Sequence, residues 1–166
     1  MAYAIRPFRS EDAESVAALT LAAIRTVGSQ AYSPAQVEAW ASRHPDPDRF
    51  IQRCADGAHI WVAVDDADTP VAYALLEFDP EQGGHLDMLY CHPNHTRRGL
   101  AERLLSLAES HARNAGLARL FTEASELARP AFARAGYQVT HRRDFAIDGP
   151  DGAVPIHNYA MEKRLF

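Results

Sequence analysis

Apolar positions keep the helical period in some stretches of the chain and strict alternation in others, which predicts a mixed chain of helices and strands. Ala4 to Phe8 reads as a short first strand. Ser10, Asp12 and Glu14 then mark a helix start, and Ala13, Val16, Ala17, Leu19, Thr20, Ala23 and Ile24 carry the helix to about Thr26. After the connector Val27 to Ser33, Ser33 followed by Pro34 predicts an N-cap with proline at the first helical position, opening a short helix with Val37 and Trp40. Pro45-Asp-Pro-Asp caps a third helical segment bearing Phe50, Ile51 and Cys54, which Gly57 ends.

The middle of the chain alternates. His59–Val64 and Val71–Phe78 flank the turn Asp65–Pro70 and predict a hairpin, Pro80–Gly84 makes the next turn, and His85–Cys91 is a further strand. Leu100, Leu104, Leu107 and Ala108, widened by Ala101, Leu105 and Ala112, form an apolar stripe, so a long helix is expected from near Arg97 to Gly116. Ala118–Glu123 reads as a strand and is followed by a helix running through Phe132 to Gly136. Two closing strands, Tyr137–Ile147 and Ile156–Leu165, are separated by the turn Asp148–Ala153. No internal repeat or low-complexity stretch interrupts the pattern.

The stretch Leu86 to Leu105 organises the rest, because it joins an apolar strand, a turn at Pro93, a small-residue loop and the start of the long helix. Thr96, Arg97, Arg98, Gly99, Leu100 and Ala101 offer unpaired backbone N–H groups, the positive end of a helix dipole and two guanidinium groups, a site suited to a pyrophosphate.

This loop resembles that of the GCN5-related N-acetyltransferases, which reads Gln/Arg-x-x-Gly-x-Gly/Ala at a strand-to-helix junction; here it is Thr96-Arg-Arg-Gly99-Leu-Ala101, with Thr96 in the Gln/Arg position. Ser125 to Tyr137 is similar to the family's Asn-x-x-Ala-x-x-Phe-Tyr-x-x-x-Gly-Phe segment, Met161-Glu-Lys163 resembles its closing strand, and the order of elements matches throughout. The resemblance implies an α/β (α+β) fold: one domain over residues 1–166 with a splayed, mostly antiparallel mixed sheet of about seven strands flanked by helices. It implies direct transfer of an acetyl group from acetyl-CoA, as cosubstrate, to a primary amine of a small molecule or peptide within a ternary complex.

Carried onto this chain, the resemblance assigns the pantetheine arm to the backbone of Leu89, Tyr90 and Cys91, with the Leu89 amide polarising the thioester carbonyl. Thr96 to Glu102, with Arg97, Arg98, Gly99, Leu100 and Ala101 between them, hold the pyrophosphate, and Ser125 and Phe132 also belong to the cosubstrate site. Phe132 stands where many members carry a tyrosine that protonates the leaving thiolate, which leaves Tyr90 or a water for that step. Tyr32 is the candidate contact to the acceptor. Period-two alternation sets His85 and Asp87 on one strand face, continued by Leu89 and Cys91, so either His85 or Asp87 is the expected general base, acting through a water. Glu123 reads equally well as catalytic or as a salt-linked strand end. A non-catalytic acetyl-CoA-binding regulatory module is the alternative.

Composition narrows the classes. A formal net charge of −5, with no basic stripe beyond Arg97 and Arg98, argues against a nucleic-acid-binding surface. Cys54 and Cys91 lack metal or redox spacing and fit free thiols in a reducing compartment, with Cys91 in a packing role. The start Met1-Ala-Tyr-Ala-Ile-Arg-Pro-Phe has no signal pattern and no apolar run approaches membrane-spanning length, so a cytoplasmic protein with no membrane partner is expected. His85, His92 and His95 with Asp87 can be sketched as a metal site, but two of these histidines flank Pro93 in a turn, and no metal is expected. Neither Gly-x-Gly-x-x-Gly after the first strand nor a Lys-Ser/Thr phosphate loop is present, which counts against a dinucleotide-binding protein. A homodimer is compatible with all of this.

Overall fold

The computed structural model describes residues 2–44 and 46–166, so Met1 and the Pro45 end of the predicted third-helix cap lie outside the described residues. Seven strands form one sheet in the order β1-β2-β3-β4-β5-β7-β6: β1 Ala4–Pro7, β2 His59–Val64, β3 Pro70–Asp79, β4 Gly83–Cys91, β5 Arg119–Ala124, β6 Gln138–Gly149 and β7 Gly152–Arg164. Every neighbouring pair is antiparallel except β4 and β5, which run parallel.

Helices cover both faces. On one side α1 (Ala13–Val27) and α3 (Asp48–Ala55) pack Val16, Leu19 and Phe50 against Val62, Tyr73 and Leu75 of β2 and β3. On the other, α4 (Leu100–Asn114) and α5 (Arg129–Arg134) pack Leu104, Ala108 and Phe132 against Ala74, Leu86 and Leu120. A third cluster joins α2 (Pro34–Ala41) to Ile147 and Ile156 of the last two strands. The predicted Ser33 cap forms a full capping box with Gln36, so α2 starts where the sequence indicates.

Several boundaries differ from expectation. The long helix starts at Leu100 rather than Arg97, because Arg97 (φ 61°) and Gly99 (φ 75°) sit in the left-handed region and no helix can run through them. Leu100 is 2% exposed and Leu104 0%, so burial worth roughly 2 kcal/mol per side chain fixes the first turn of α4 against the sheet. The β6–β7 turn is tighter than Asp148–Ala153: that pair is already in register, and Gly149 faces Gly152. Ser10–Asp12 is a 3-10 turn that precedes α1 rather than its first turn.

Candidate active site

The site is made by a strand that loses one neighbour. β4 pairs with β3 from Gly83 to Cys91, but with β5 only at Gly84 and His85. Beyond His85 the two parallel strands diverge, with Thr122 Oγ1 still donating to the Leu86 carbonyl at 2.7 Å. The edge of β4 that faces β5 is therefore without a strand partner from Asp87 to Cys91, and a cavity of about 730 Å³ lies alongside it. Its walls come from β4, β5, α5, the α2–α3 connector and the last hairpin.

A β-bulge sets the side chains of β4. Leu75 and Leu76 of β3 face Met88 and Leu86, so Asp87 is an extra residue on the bulged strand. The insertion flips the alternation: Leu86, Leu89 and Cys91 pack toward α4, whereas Met88 and Tyr90 pack toward α1 and α3. Asp87 bonds Arg53 of α3 at 2.6 Å, and His85, opposite Glu77, lies on that same side. This corrects the expectation that His85, Asp87, Leu89 and Cys91 share one face; the first two do, and the last two are on the other.

His85, Asp87 and Glu123 form one cluster. His85 Nε2 lies 2.9 Å and 3.1 Å from the Glu123 carboxylate oxygens and 3.7 Å from Asp87, and its ring stacks on Phe121 at 4.6 Å between centroids. Burial favours the neutral imidazole, but the hydrogen bond and charge of Glu123, with Asp87 adding and Arg53 opposing, outweigh it, and the His85 pKa is raised. Asp87 and Glu123 line the cavity, while His85 sits behind them and does not. Arg53 also pairs with Glu77, which fixes α3 to the sheet at this point.

The aromatic wall comes from residues far apart in sequence. Trp40 and His44 both pack on Tyr90, with ring centroids 6.4 Å and 6.1 Å from it, and all three line the cavity. Burial pulls the His44 pKa down to about 4, against the opposing charge of Asp87 and with the help of Arg43, Arg49 and Arg53, so this imidazole is neutral at pH 7. Nothing in the sequence singled it out. The Tyr90 phenol is pushed up by burial and stays protonated. Tyr32 also lines the cavity, but its hydroxyl is engaged, donating to the His157 carbonyl at 3.0 Å and accepting from the Glu126 amide at 2.8 Å.

The remaining expected residues fall into two groups. Leu89, Ser125 and Phe132 line the cavity, and Ser125 Oγ accepts from the Ala128 amide at 3.1 Å. Thr96 to Glu102 stand outside it, past the C-terminal end of β4, where Thr96 Oγ1 donates to the Pro93 carbonyl. Over the loop the space is open: a Cβ at Gly99 would meet no atom within 4 Å. Cys91 packs toward α4 with its thiol pKa raised by burial to about 11, which gives it little thiolate. Among the described residues no group of three or more His, Cys, Asp or Glu is arranged to hold a metal ion. His95 Nδ1 instead meets the Tyr3 hydroxyl at 2.8 Å, and His92 Nδ1 accepts from the Asn94 amide.

A sheet parted between two parallel strands, with a helix N-terminus beyond the parted end and carboxylates inside, is the frame of an acyl-transfer fold. The profile of the acetyltransferase (GNAT) family matches residues 28–137, and the chain belongs to that family and is an acetyltransferase. It is 31% identical over 140 residues to the uncharacterized N-acetyltransferase YafP of Escherichia coli (strain K12), covering 84% of this chain and 83% of YafP. The crystal structure of a GCN5-related N-acetyltransferase from Rhodopseudomonas palustris superposes with a TM-score of 0.85 at 32% identity, covering 99% of this chain and 96% of that one. The PaiA N-acetyltransferase of Thermoplasma acidophilum, solved with coenzyme A, shares the fold at a TM-score of 0.79 and 17% identity, over 99% of both chains.

Proposed function

We infer that residues 1–166 act as one catalytic domain that moves an acetyl group from acetyl-CoA directly to a primary amine. The observation that carries this is the unpartnered edge of β4 from Asp87 to Cys91, which runs beside the cavity and ends at the loop before α4. A pantetheine arm has amides spaced to bond such an edge as a strand would. The residues beyond it suit the phosphates: the N–H groups of Leu100, Ala101 and Glu102 open α4 without intrahelical partners, and Gly99 leaves the approach clear. Free Cys54 and Cys91 fit a reducing, cytoplasmic setting.

In this reading the Leu89 amide faces the thioester carbonyl and stabilises the oxyanion as the amine attacks. The attacking alkylammonium, with a pKa near 10.4, first has to lose a proton. Glu123 and Asp87 are the carboxylates on the cavity wall, and Glu123 takes that proton through a water. His85, already bonded to Glu123, is a positioning residue that holds the two carboxylates together. The leaving thiolate is protonated through water by the proton Glu123 has taken up; the Tyr90 phenol, its pKa pushed up by burial, is a weaker acid than the CoA thiol and stays protonated. The first test is release of free thiol from acetyl-CoA across a panel of amines. Amine-dependent release with an acetylated product supports the reading; tight acetyl-CoA binding with no product from any amine would instead make the chain a binding module.

A further inference from the structure

The acceptor half of the cavity has a charge pattern that narrows the class of amine, given the acetyltransferase reading above. Its wall carries four guanidinium groups, Arg43, Arg49, Arg53 and Arg143, against only two carboxylates, Asp87 and Glu123. That is a positive wall in a chain whose formal net charge is −5. These arginines are not the cosubstrate's phosphate ligands, since the loop bearing Arg97 and Arg98 lies outside the cavity.

Of these four, Arg53 alone has its charge met among the described residues, by Asp87 and Glu77. Arg49 spends one N–H on the Arg43 carbonyl at 3.2 Å, while Arg143 donates to the Asn158 side chain at 3.2 Å and lies over the Phe145 ring. No carboxylate among the described residues pairs with Arg43, Arg49 or Arg143. Asp46, the acid in that connector, instead accepts from the Asp48 amide. Guanidiniums without a carboxylate partner, lining one cavity from the α2–α3 connector and from β6, suit an oxyanion, because the planar fork matches carboxylate and phosphate oxygens.

We propose that the acceptor is a small amine that also carries an oxyanion, held by Arg43 and Arg143 while its amino group points to Glu123 and Asp87. An uncharged amine or a polyamine would leave these cations without a partner. A polyamine would in addition be repelled by them.

The test compares kcat/KM by thiol release at saturating acetyl-CoA within matched pairs: glycine with glycinamide, L-phenylalanine with its carboxamide, and O-phosphoethanolamine with ethanolamine. The proposal expects the oxyanion-bearing member of at least one pair to be favoured about tenfold or more, the size of one charge-assisted hydrogen bond. The pair that responds separates carboxylate from phosphate. In Arg43→Gln or Arg143→Gln that ratio should fall severalfold, and Arg143→Glu should reverse it toward diamines. Ratios below about threefold in every pair, with good turnover of the uncharged members, overturn the oxyanion proposal and leave acetyl transfer standing. Absence of turnover with all amines overturns both.

Discussion

Glu123 and Asp87 reach one cavity from two different strands, and His85 Nε2 behind them lies 2.9 Å from Glu123 and 3.7 Å from Asp87. Glu123→Gln keeps the shape but loses the proton acceptor, so kcat/KM at neutral pH should drop by about tenfold or more, while acetyl-CoA affinity is unchanged. A pH–rate profile checks it; a variant within twofold of wild type would remove Glu123 from the chemistry. Because the His85 pKa is raised in the folded protein, the ion pair stabilises fully below the ordinary value of 6.5 and loses its contribution as pH rises through the folded value. Melting curves should accordingly separate Glu123→Gln from wild type more at pH 6 than at pH 9.

His44 has the opposite sign. Its pKa is held near 4 against an ordinary 6.5, so the unfolded chain binds the proton first, and stability present above 6.5 drains away as pH falls toward 4. His44→Gln should flatten that acid slope. Tyr32 makes two hydrogen bonds beside the cavity, and Tyr32→Phe leaves a partly buried amide and carbonyl without that partner, an expected loss of about 1 kcal/mol seen as a lower melting temperature. Any rise in acceptor KM for Tyr32→Ala has to be read beside that loss.

Two glycines control the β4–α4 element. At Gly84, where β4 and β5 still pair, an added Cβ would come within 2.2 Å of Leu120 Cδ2 and 3.3 Å of Leu117 and Leu76. Gly84→Ala should therefore destabilise the protein by about 1 to 3 kcal/mol through overpacking at the hinge of the splay. Gly99 is the contrast, because its Cβ would point into open space. Gly99→Val costs about 1 to 2 kcal/mol of left-handed backbone strain but leaves the core intact, and calorimetry should find acetyl-CoA binding weakened tenfold or more.

At this scale the sequence was legible wherever periodicity was long. The Ser33–Pro34 cap, the β2–β3 hairpin and the stripe of Leu100, Leu104, Leu105, Ala108 and Ala112 fell where apolar spacing and turn residues indicate, whereas Leu107, expected in that stripe, is exposed. The bulge at Asp87 was not legible, since one inserted residue leaves no compositional trace, yet it moves Leu89 and Cys91 to the far face. Nor was the His85–Glu123 pair, because its parallel register depends on how α4 returns the chain to β5. His44 carries no motif that would mark it in the sequence, and its ring packs on Tyr90, a residue far away along the chain.

Over the whole molecule, the sheet has two parts that meet at a short parallel contact: β1 to β4, with α1 and α3, and β5 to β7. Apolar clusters run across that contact, joining Ala74 and Leu86 to Leu120 and Met161 under α4 and joining α2 to Ile147 and Ile156. The functional groups divide along the same line. The loop before α4 and Asp87 belong to the first part, and Glu123 and Arg143 to the second.

The most direct test of this account is amide-resolved NMR with acetyl-CoA added. The backbone amides of Leu89, Tyr90 and Cys91 and those of Gly99 to Glu102 should shift together at saturation, with Gly99→Val losing both sets. Saturable binding that leaves the Leu89–Cys91 amides unmoved would contradict the claim that the parted edge of β4 holds the cosubstrate.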